Sequence, residues 1–279
     1  MADFSVLLPV YAGDRPAWLQ EAFASITVEQ ELPPSEVVIV RDGPVGSNLQ
    51  QTLDDLIETS AIPVTYVPLE ENVRLARALD AGLKHCAYEL VARADADDIC
   101  RPERFQVQIP LMQDLDLLGS AVLEFSEDSA GATYKEVRGR PETEQEIREY
   151  APFHNPFNHP SVVYRKGAVA LAGGYEDMPL MEDYWLFLRM LQCGARAANT
   201  PEVLVNYRVQ ESLFKRRGGW QALRSDWVFQ RRIRKLGVTT LPQYVRNLIV
   251  RSIYRIVPGK LRAWGYERFV RAPYSETQP

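Results

Sequence analysis

Three carboxylates, Asp95, Asp97 and Asp98, fall within four residues directly after the apolar run Leu90–Ala94. Like charges this close repel one another, so fold stability alone gives little reason for this aspartate cluster. A divalent cation removes the repulsion, because Mg²⁺ and Mn²⁺ prefer oxygen ligands and often join protein carboxylates to substrate phosphates. A metal site is the leading hypothesis. The alternative is that Asp98 caps the helix near Pro102 and the other acids solvate a turn.

A second pair of acids, Glu182 and Asp183, opens a segment that is otherwise strongly apolar. Carboxylates are favourable in the first turn of a helix, so a structural explanation exists for both. A positioned carboxylate can also accept the proton of an attacking hydroxyl. The pair becomes informative only in combination with other residues.

Apolar, β-branched runs alternate with amphipathic segments through the first half of the chain, which predicts an α/β fold with a mainly parallel sheet. The predicted strands are 4–10, 36–40, 63–67, 90–94 and one near 117–125. The predicted helices are 16–29, 48–58, 73–85, 102–112 and one from about 179, and the polar stretch 126–149 is predicted to be a surface excursion with a short helix. Ligands of such sheets bind beyond the carboxyl ends of the strands. Asp42, which follows the second strand, is therefore expected near the aspartate cluster.

The composition is that of a globular protein, with 46% hydrophobic and 25% charged residues among 279. No apolar stretch approaches the ~20 residues of a membrane-spanning helix, and no basic segment precedes the short apolar start, so no secretory signal is expected. Three cysteines without close spacing argue against a disulfide framework and a cysteine zinc site. A cytoplasmic location follows as an expectation.

Charge is unevenly distributed. Residues 207–279 hold 16 of the 32 Lys and Arg and four acids, so this tail is +12 and the preceding 206 residues are −17. We predict a first domain over 1–210 and a basic helical appendage over 211–279. Aromatic and aliphatic residues among arginines are typical of interfacial helices, so peripheral membrane contact is predicted at the inner face of the membrane. The alternative is that the tail packs on the acidic body.

Several further motifs accompany the acids in a fixed order between residues 4 and 210. In chain order the set is Ser5–Tyr11, Ser25-Ile26, Gln30, Val38–Gly43, Asn72 with the Ala- and Leu-rich helix after it, the aspartate cluster, Arg101–Arg104, His159–Ser161, Gly173–Tyr175 and Glu182-Asp183. This set resembles glycosyltransferase family 2, which has the GT-A fold, and is similar to its bacterial polysaccharide-assembly branch. The resemblance implies inverting transfer of a sugar from a nucleotide-diphosphate sugar, UDP-linked by family frequency, to a hydroxyl of a glycan or polyprenyl-diphosphate-linked acceptor.

The resemblance also implies roles at the donor. Asp42 is similar to the family aspartate that binds the nucleotide base, with Pro9 and Tyr11 in the adjoining donor loop. Asp95 and Asp97 match the outer positions of the Asp-x-Asp motif. Asp95 is expected at the ribose and as a second metal ligand, and Asp97 at a Mn²⁺ or Mg²⁺ ion on the diphosphate.

For catalysis, the resemblance implies that Asp183 is the general base. It would accept the proton of the acceptor hydroxyl as that oxygen attacks the anomeric carbon from the face opposite the diphosphate. Glu182 is expected to support the loop or contact the acceptor. One displacement inverts the configuration and needs only one positioned base, with no covalent nucleophile.

Other polar residues have two interpretations each. Some family members place a metal-binding histidine beyond the Glu-Asp motif, but the last histidine here, His159, precedes that motif. The metal is therefore expected to be coordinated by Asp97, phosphates and water. His159 is a candidate contact of the acceptor or of a phosphate, or else a packed corner. Arg208 and Arg216-Arg217 are candidate cations for the diphosphate, or else ordinary surface charge.

Two other functional classes stay open. A non-catalytic nucleotide or nucleic-acid module would explain the basic tail, but the aspartate cluster lies where a nucleic-acid groove requires cations, so no nucleic acid is expected as a partner. A nucleotidyltransferase also holds metal with aspartates. It would be expected to carry a Gly-rich, basic signature after the first strand, and residues 9–14 resemble the glycosyltransferase loop instead. The products discriminate, because glycosyl transfer releases a nucleoside diphosphate and nucleotidyl transfer releases pyrophosphate.

Overall fold

A computed structural model describes residues 2–128, 131–209 and 220–256 of the chain. Its contacts divide the chain into two compact units, Met1–Val209 and Gln210–Pro279. The first unit contains the sheet and seven of the described helices, and the second contains two described helices. That each unit is a separate domain stays a prediction.

Nine strands of the described residues form one mixed sheet. They are β1 (Phe4–Tyr11), β2 (Glu36–Asp42), β3 (Val64–Pro68), β4 (Leu90–Arg93), β5 (Ile99–Cys100), β6 (Leu117–Asp128), β7 (Gly131–Arg138), β8 (Val163–Arg165) and β9 (Ala197–Arg208). The strand order is β3-β2-β1-β4-β8-β6-β9-β5, and β7 pairs with β6. The first four strands in this order are parallel, whereas β8 runs antiparallel to both β4 and β6.

Helices follow most of the strands. In the first unit they are α1 (Pro16–Ile26), α2 (Ser47–Thr59), α3 (Leu75–Leu83), α4 (Arg104–Leu111), α5 (Glu144–Tyr150), α6 (Lys166–Leu171) and α7 (Glu182–Gln192), with a 3-10 turn at His159–Ser161. In the second unit they are α8 (Trp220–Lys235) and α9 (Leu241–Ile256). No described helix is long and apolar enough to cross a membrane.

The parallel half of the sheet is held by apolar side chains on both of its faces. Residues 37–40 of β2 are all 0% exposed, which is the pattern of a strand covered by helices on either side. Helix α3 approaches the sheet closely at Gly82, where an added Cβ would lie 2.4 Å from Leu7 Cδ1 and 2.5 Å from Val40 Cγ2. In this register Tyr11 stands opposite Asp42, so the carboxyl ends of β1 and β2 are level.

Each strand and helix predicted in the first half overlaps an observed one, and the differences lie elsewhere. The stretch predicted as a surface excursion forms the hairpin of β6 and β7 before α5, because β7 is exposed along almost its whole length and so has no apolar face to detect. Strands β5, β8 and β9 and helix α6 were not predicted. The helix expected from about 179 begins at Glu182, because Leu180 has φ +70° and lies outside the helical region.

The described part of the second unit, residues 220–256, is a pair of packed helices. Asn247 Nδ2 of α9 donates to Gln230 Oε1 of α8 at 3.1 Å, and Arg251 pairs with the buried Asp226 at 3.0 Å. Phe229 is 0% exposed between them. Arg216-Arg217 and the segment 257–279 lie outside the described residues.

Candidate active site

Asp42 is fixed at the carboxyl end of β2. It is 5% exposed, and its Oδ1 accepts the N–H of Val73 at 2.7 Å, while Asn72 Nδ2 donates to the Asp42 carbonyl oxygen at 3.2 Å. Gly43 has φ +82°, and a Cβ there would lie 2.5 Å from Asn72 N, so the turn requires glycine. Burial raises the pKa of Asp42, and hydrogen bonds from the backbone of Val73 and Arg74 oppose the rise. The structure therefore positions this carboxylate through the loop before α3.

The loop after β1 closes on itself through Asp14. The N–H of Tyr11 donates to Asp14 Oδ2 at 2.8 Å, and the N–H of Asp14 donates to the Tyr11 carbonyl at 3.0 Å. Tyr11 is 40% exposed, whereas Pro9 is buried in β1. Burial raises the pKa of Asp14 to about 7, and the charges of Asp97 and Asp95 add to the effect. Asp14 thus interacts electrostatically with the aspartate cluster, and no sequence signal beyond its place after β1 indicated it.

The aspartate cluster brings one oxygen each of Asp95, Asp97 and Asp98 within 4.8 Å of one another. Asp98 is 3% exposed, and its Oδ2 has no hydrogen-bond partner among the described residues. Burial raises the pKa of Asp98 well above its usual range, and the other two charges add to the rise. An unbonded buried oxygen among three carboxylates fits a divalent cation with oxygen ligands. The sequence-based metal set, Asp97 with Asp95, gains Asp98 as a candidate.

The alternative role of Asp98 as a helix cap is wrong. Helix α4 has Glu103 as its N-cap residue, without a side-chain hydrogen bond. Asp98 Oδ1 instead accepts the N–H of Arg208 at 2.8 Å. The carboxylate therefore anchors the cluster to the end of β9.

Arg208 positions the aspartate cluster through its contacts with Asp97 and Asp98. Its side chain is 2% exposed, and its Nε donates to the Asp97 carbonyl at 2.8 Å. Its Nη2 pairs with Glu21 at 2.7 Å and its Nη1 pairs with Glu127. Each guanidinium nitrogen already has an acceptor, which gives Arg208 a positioning role. Its predicted contact with the diphosphate stays a prediction. The alternative of ordinary surface charge is wrong, because the side chain is buried.

Arg93 is a buried cation whose charge acts on both groups of acids. It is 2% exposed at the end of β4 and forms an ion pair with Asp95. Burial disfavours its charge and is the largest single effect, but the charge and hydrogen bond of Asp95, together with smaller effects of Tyr175 and Asp98, raise the Arg93 pKa. Its positive charge in turn lowers the pKa values of Glu182 and Asp183. Arg93 thus couples the aspartate cluster to the second acidic pair, a role that sequence reasoning missed.

Glu182 and Asp183 form the first turn of α7. Asn155 Nδ2 donates to Asp183 Oδ2 at 2.7 Å, so a loop residue far away in sequence orients this carboxylate. Burial raises the pKa of Asp183, and the helix backbone, Arg93 and Asn155 oppose the rise. Burial also raises the pKa of Glu182 to about 7, with the charge of Asp183 adding to it. Both pKa values are therefore raised, which makes each carboxylate a better proton acceptor, as a general base requires.

His159 lies in the 3-10 turn and is already engaged. Its Nε2 is 3.0 Å from the hydroxyl of Tyr175, and its ring packs edge-on against Phe187 at 5.9 Å. Burial lowers the pKa of His159 well below its usual range, and the charge of Arg93 lowers it further, so the ring is neutral. These are the contacts of a packed corner. The predicted acceptor contact of His159 stays a prediction.

Comparisons with known proteins agree with this geometry. Residues 5–170 match the family described as glycosyl transferase family 2. The amylovoran biosynthesis glycosyltransferase AmsE of Erwinia amylovora is 36% identical over 268 residues, which cover 95% of this chain and 98% of that protein. The chain belongs to glycosyl transferase family 2. This family 2 chain is also 34% identical over 272 residues, 96% of each chain, to the UDP-Gal:alpha-D-GlcNAc-diphosphoundecaprenol beta-1,3-galactosyltransferase of Escherichia coli.

Solved structures show the same fold at low sequence identity. S. aureus TarS 1-349 in complex with UDP-GlcNAc has a TM-score of 0.66 at 15% identity, over 96% of this chain and 76% of that one. The mannosyltransferase PcManGT from Pyrobaculum calidifontis in complex with GDP-Man and Mn²⁺ has a TM-score of 0.63 at 16% identity, over 98% of this chain and 84% of that one. The predicted family and the predicted GT-A fold are both confirmed.

Proposed function

We propose that this family 2 glycosyltransferase inverts the anomeric configuration as it moves a sugar from a nucleotide-diphosphate sugar, with UDP as the first choice. The acceptor is a hydroxyl of a glycan or of a polyprenyl-diphosphate-linked sugar in surface polysaccharide synthesis. The single observation that carries the proposal is that Arg93 couples the aspartate cluster electrostatically to Glu182 and Asp183. The Erwinia and Escherichia relatives, by their names, act in the same kind of chemistry.

The donor site of this proposal uses residues that the sheet edge already holds. Asp42 contacts the nucleotide base, with Pro9 and Tyr11 in the adjoining loop, and Asp95 faces the ribose. Asp97 would hold Mn²⁺ or Mg²⁺, with Asp95 and Asp98 as further candidate ligands. When bound, such an ion neutralises the negative charge that develops on a departing nucleoside diphosphate.

The acceptor hydroxyl gives up its proton to Asp183 in this proposal. Asn155 holds one oxygen of the carboxylate, which leaves the group in a fixed orientation as the acceptor oxygen attacks. Burial raises the basicity of Asp183, and the charge of Asp183 raises the pKa of Glu182, because two carboxylates side by side disfavour each other's ionised form. One displacement from the face opposite the diphosphate inverts the configuration.

The basic second unit supports a further part of the proposal, contact with the cytoplasmic surface of a membrane. Four apolar side chains recur at every fourth position of α9 and are 46–60% exposed: Leu241, Val245, Ile249 and Ile253. An exposed apolar stripe among arginines suits a surface of anionic lipid. The protein is expected to float with vesicles that contain anionic lipid and not with neutral ones, and flotation with neither would contradict the contact.

Product analysis tests the reaction itself. The purified protein is incubated with Mn²⁺, a panel of UDP-sugars and a synthetic lipid-diphosphate sugar, and the released nucleotide and the new linkage are identified by NMR. We expect UDP and an anomeric configuration opposite to that of the donor. If no UDP-sugar reacts, GDP-sugars and dTDP-sugars are tested next as donors. Pyrophosphate would support the nucleotidyltransferase alternative, retained configuration would refute inversion, and binding without turnover would favour the non-catalytic alternative.

The pH dependence should report on the acidic pair. Because the Glu182 pKa is raised to about 7 and that of Asp183 is also raised, protonation removes the base as pH falls. We expect kcat/KM to fall as the pH drops through the raised pKa of Asp183, approaching tenfold per unit. Glu182→Gln removes a neighbouring charge and should move this limb to lower pH, whereas the exposed Glu144→Gln should not. A pH profile identical for wild type and Glu182→Gln would contradict the coupling.

A further inference from the structure

A groove of about 600 Å³ is lined by residues of α5 and by the residues just before and after it. Arg140, Tyr150 and Phe153 line it together with three glutamates, Glu142, Glu146 and Glu149. The three glutamates are exposed, whereas Arg140 is partly buried. None of these residues was assigned a role by the sequence, and none belongs to the donor site described above.

Arg140 is a poorly compensated cation in this groove. Its Nε is buried without a hydrogen-bond partner, and no described carboxylate lies within ion-pairing distance of its guanidinium. Arg138, two residues earlier, differs because it pairs with Glu124 at 2.7 Å and donates to Asn158 at 3.0 Å. Tyr150 forms a hydrogen bond with Arg140, but a neutral phenol does not neutralise the charge of the guanidinium. A buried charge without a counter-charge costs free energy, so its natural complement is an anionic ligand.

The groove adjoins the acceptor side of the site. Phe153 lines the groove, and Asn155 of the same loop donates to Asp183 Oδ2 at 2.7 Å. An anion held at Arg140 would therefore be near the base that receives the acceptor's proton. Any such anion must belong to the molecule whose hydroxyl reacts, because the donor's diphosphate belongs with the aspartate cluster.

We propose that Arg140 and its groove bind the diphosphate of a sugar-diphosphate acceptor, an inference that rests on the proposed function. The guanidinium offers charge-assisted hydrogen bonds to phosphate oxygens. The glutamates repel a free anion, but they can accept hydrogen bonds from the hydroxyls of the attached sugar. The groove therefore selects a ligand with both an anionic linkage and hydroxyl groups, and discriminates against phosphate or pyrophosphate alone.

The test compares acceptors that share one sugar and one short alkyl chain and differ only in linkage: diphosphate, monophosphate or no phosphate. For Arg140→Gln, kcat/KM with the diphosphate acceptor should fall about 10- to 100-fold, the loss expected for hydrogen bonds between charged groups. The unphosphorylated acceptor should change less than about threefold, because it has no group for the guanidinium to bind. Arg140→Lys should recover part of the loss, since it keeps the charge without the fork of donors.

Controls separate recognition from folding. The exposed Arg196→Gln should leave all three acceptors unchanged. Removal of an uncompensated cation should not lower the thermal midpoint of Arg140→Gln, and UDP binding should persist. An equal fall with all three acceptors, no change with the diphosphate acceptor, or a midpoint lowered by more than about 5 °C would overturn the inference. A wild-type protein that transfers sugar to none of the acceptors would instead contradict the proposed function on which the inference rests.

Discussion

Asp183→Asn is expected to abolish sugar transfer while UDP binding persists. The amide has the size of the carboxylate and can still accept the hydrogen bond that Asn155 donates at 2.7 Å, but it cannot take up a proton. A positioned general base contributes on the order of 10²–10⁴-fold, so kcat should fall by about that factor once an amide that cannot take up the proton replaces it. Initial rates at saturating donor and acceptor, together with calorimetric titration of UDP, measure the two properties separately.

Two variants sharpen that result. Asp177→Asn removes an exposed carboxylate that pairs with Arg77 on the surface, and it should leave kcat within about twofold. Asn155→Ala removes only the group that orients Asp183, so it should lower kcat less than the loss of the base itself and leave UDP binding unchanged. If Asp183→Asn kept more than a tenth of the wild-type kcat, Asp183 would not be the base, and Glu182 would be the next candidate.

Sequence patterns predicted the parts of the fold that depend on local composition. Strands β1, β2 and β4 carry mostly apolar runs because helices cover both faces of the sheet there, and such runs are visible without a structure. Strand β9 was not predicted because polar residues such as Asn199 and Asn206 interrupt its apolar pattern. Both residues have partners elsewhere in the fold, since Asn199 donates to the Pro141 carbonyl and Asn206 pairs with Ile99 of β5. Local patterns therefore located the edge of the sheet that carries the site, but not all of the sheet.

The site residues show the same limit. The order of short motifs indicated Asp42, the aspartate cluster and Asp183, because each follows a strand or opens a helix. The positions of Arg93 and Arg208 depend on which distant groups share their surroundings, and the bond from Arg208 to Asp98 spans 110 residues. No spacing rule could assign those partners. The unpaired state of Asp98 Oδ2 likewise follows from burial, which only the packed structure shows.

Metal-dependent donor binding should be lost in Asp97→Ala. In wild type, Mn²⁺ is expected to tighten UDP binding and EDTA to reverse the effect, because the ion joins the diphosphate to the carboxylates. Without the Asp97 carboxylate the titration with Mn²⁺ should match the titration with EDTA, and the transfer rate should fall by at least about 10³-fold. The exposed Asp55→Asn on α2 should behave as wild type in both titrations. Metal enhancement that survives in Asp97→Ala would remove Asp97 from the ligand set.

Asp98→Asn distinguishes a metal ligand from a loop anchor. Its amide oxygen can still accept the N–H of Arg208, so the loop should stay in place, but the unbonded buried charge disappears. In EDTA, at a pH high enough to ionise Asp98, the thermal midpoint of the variant should therefore exceed that of wild type, because a costly buried charge is gone. In Mn²⁺ the order should reverse, since only the wild-type triad binds the ion tightly and gains stability from it. A variant that is less stable than wild type in both conditions would mean that Asp98 serves the fold alone.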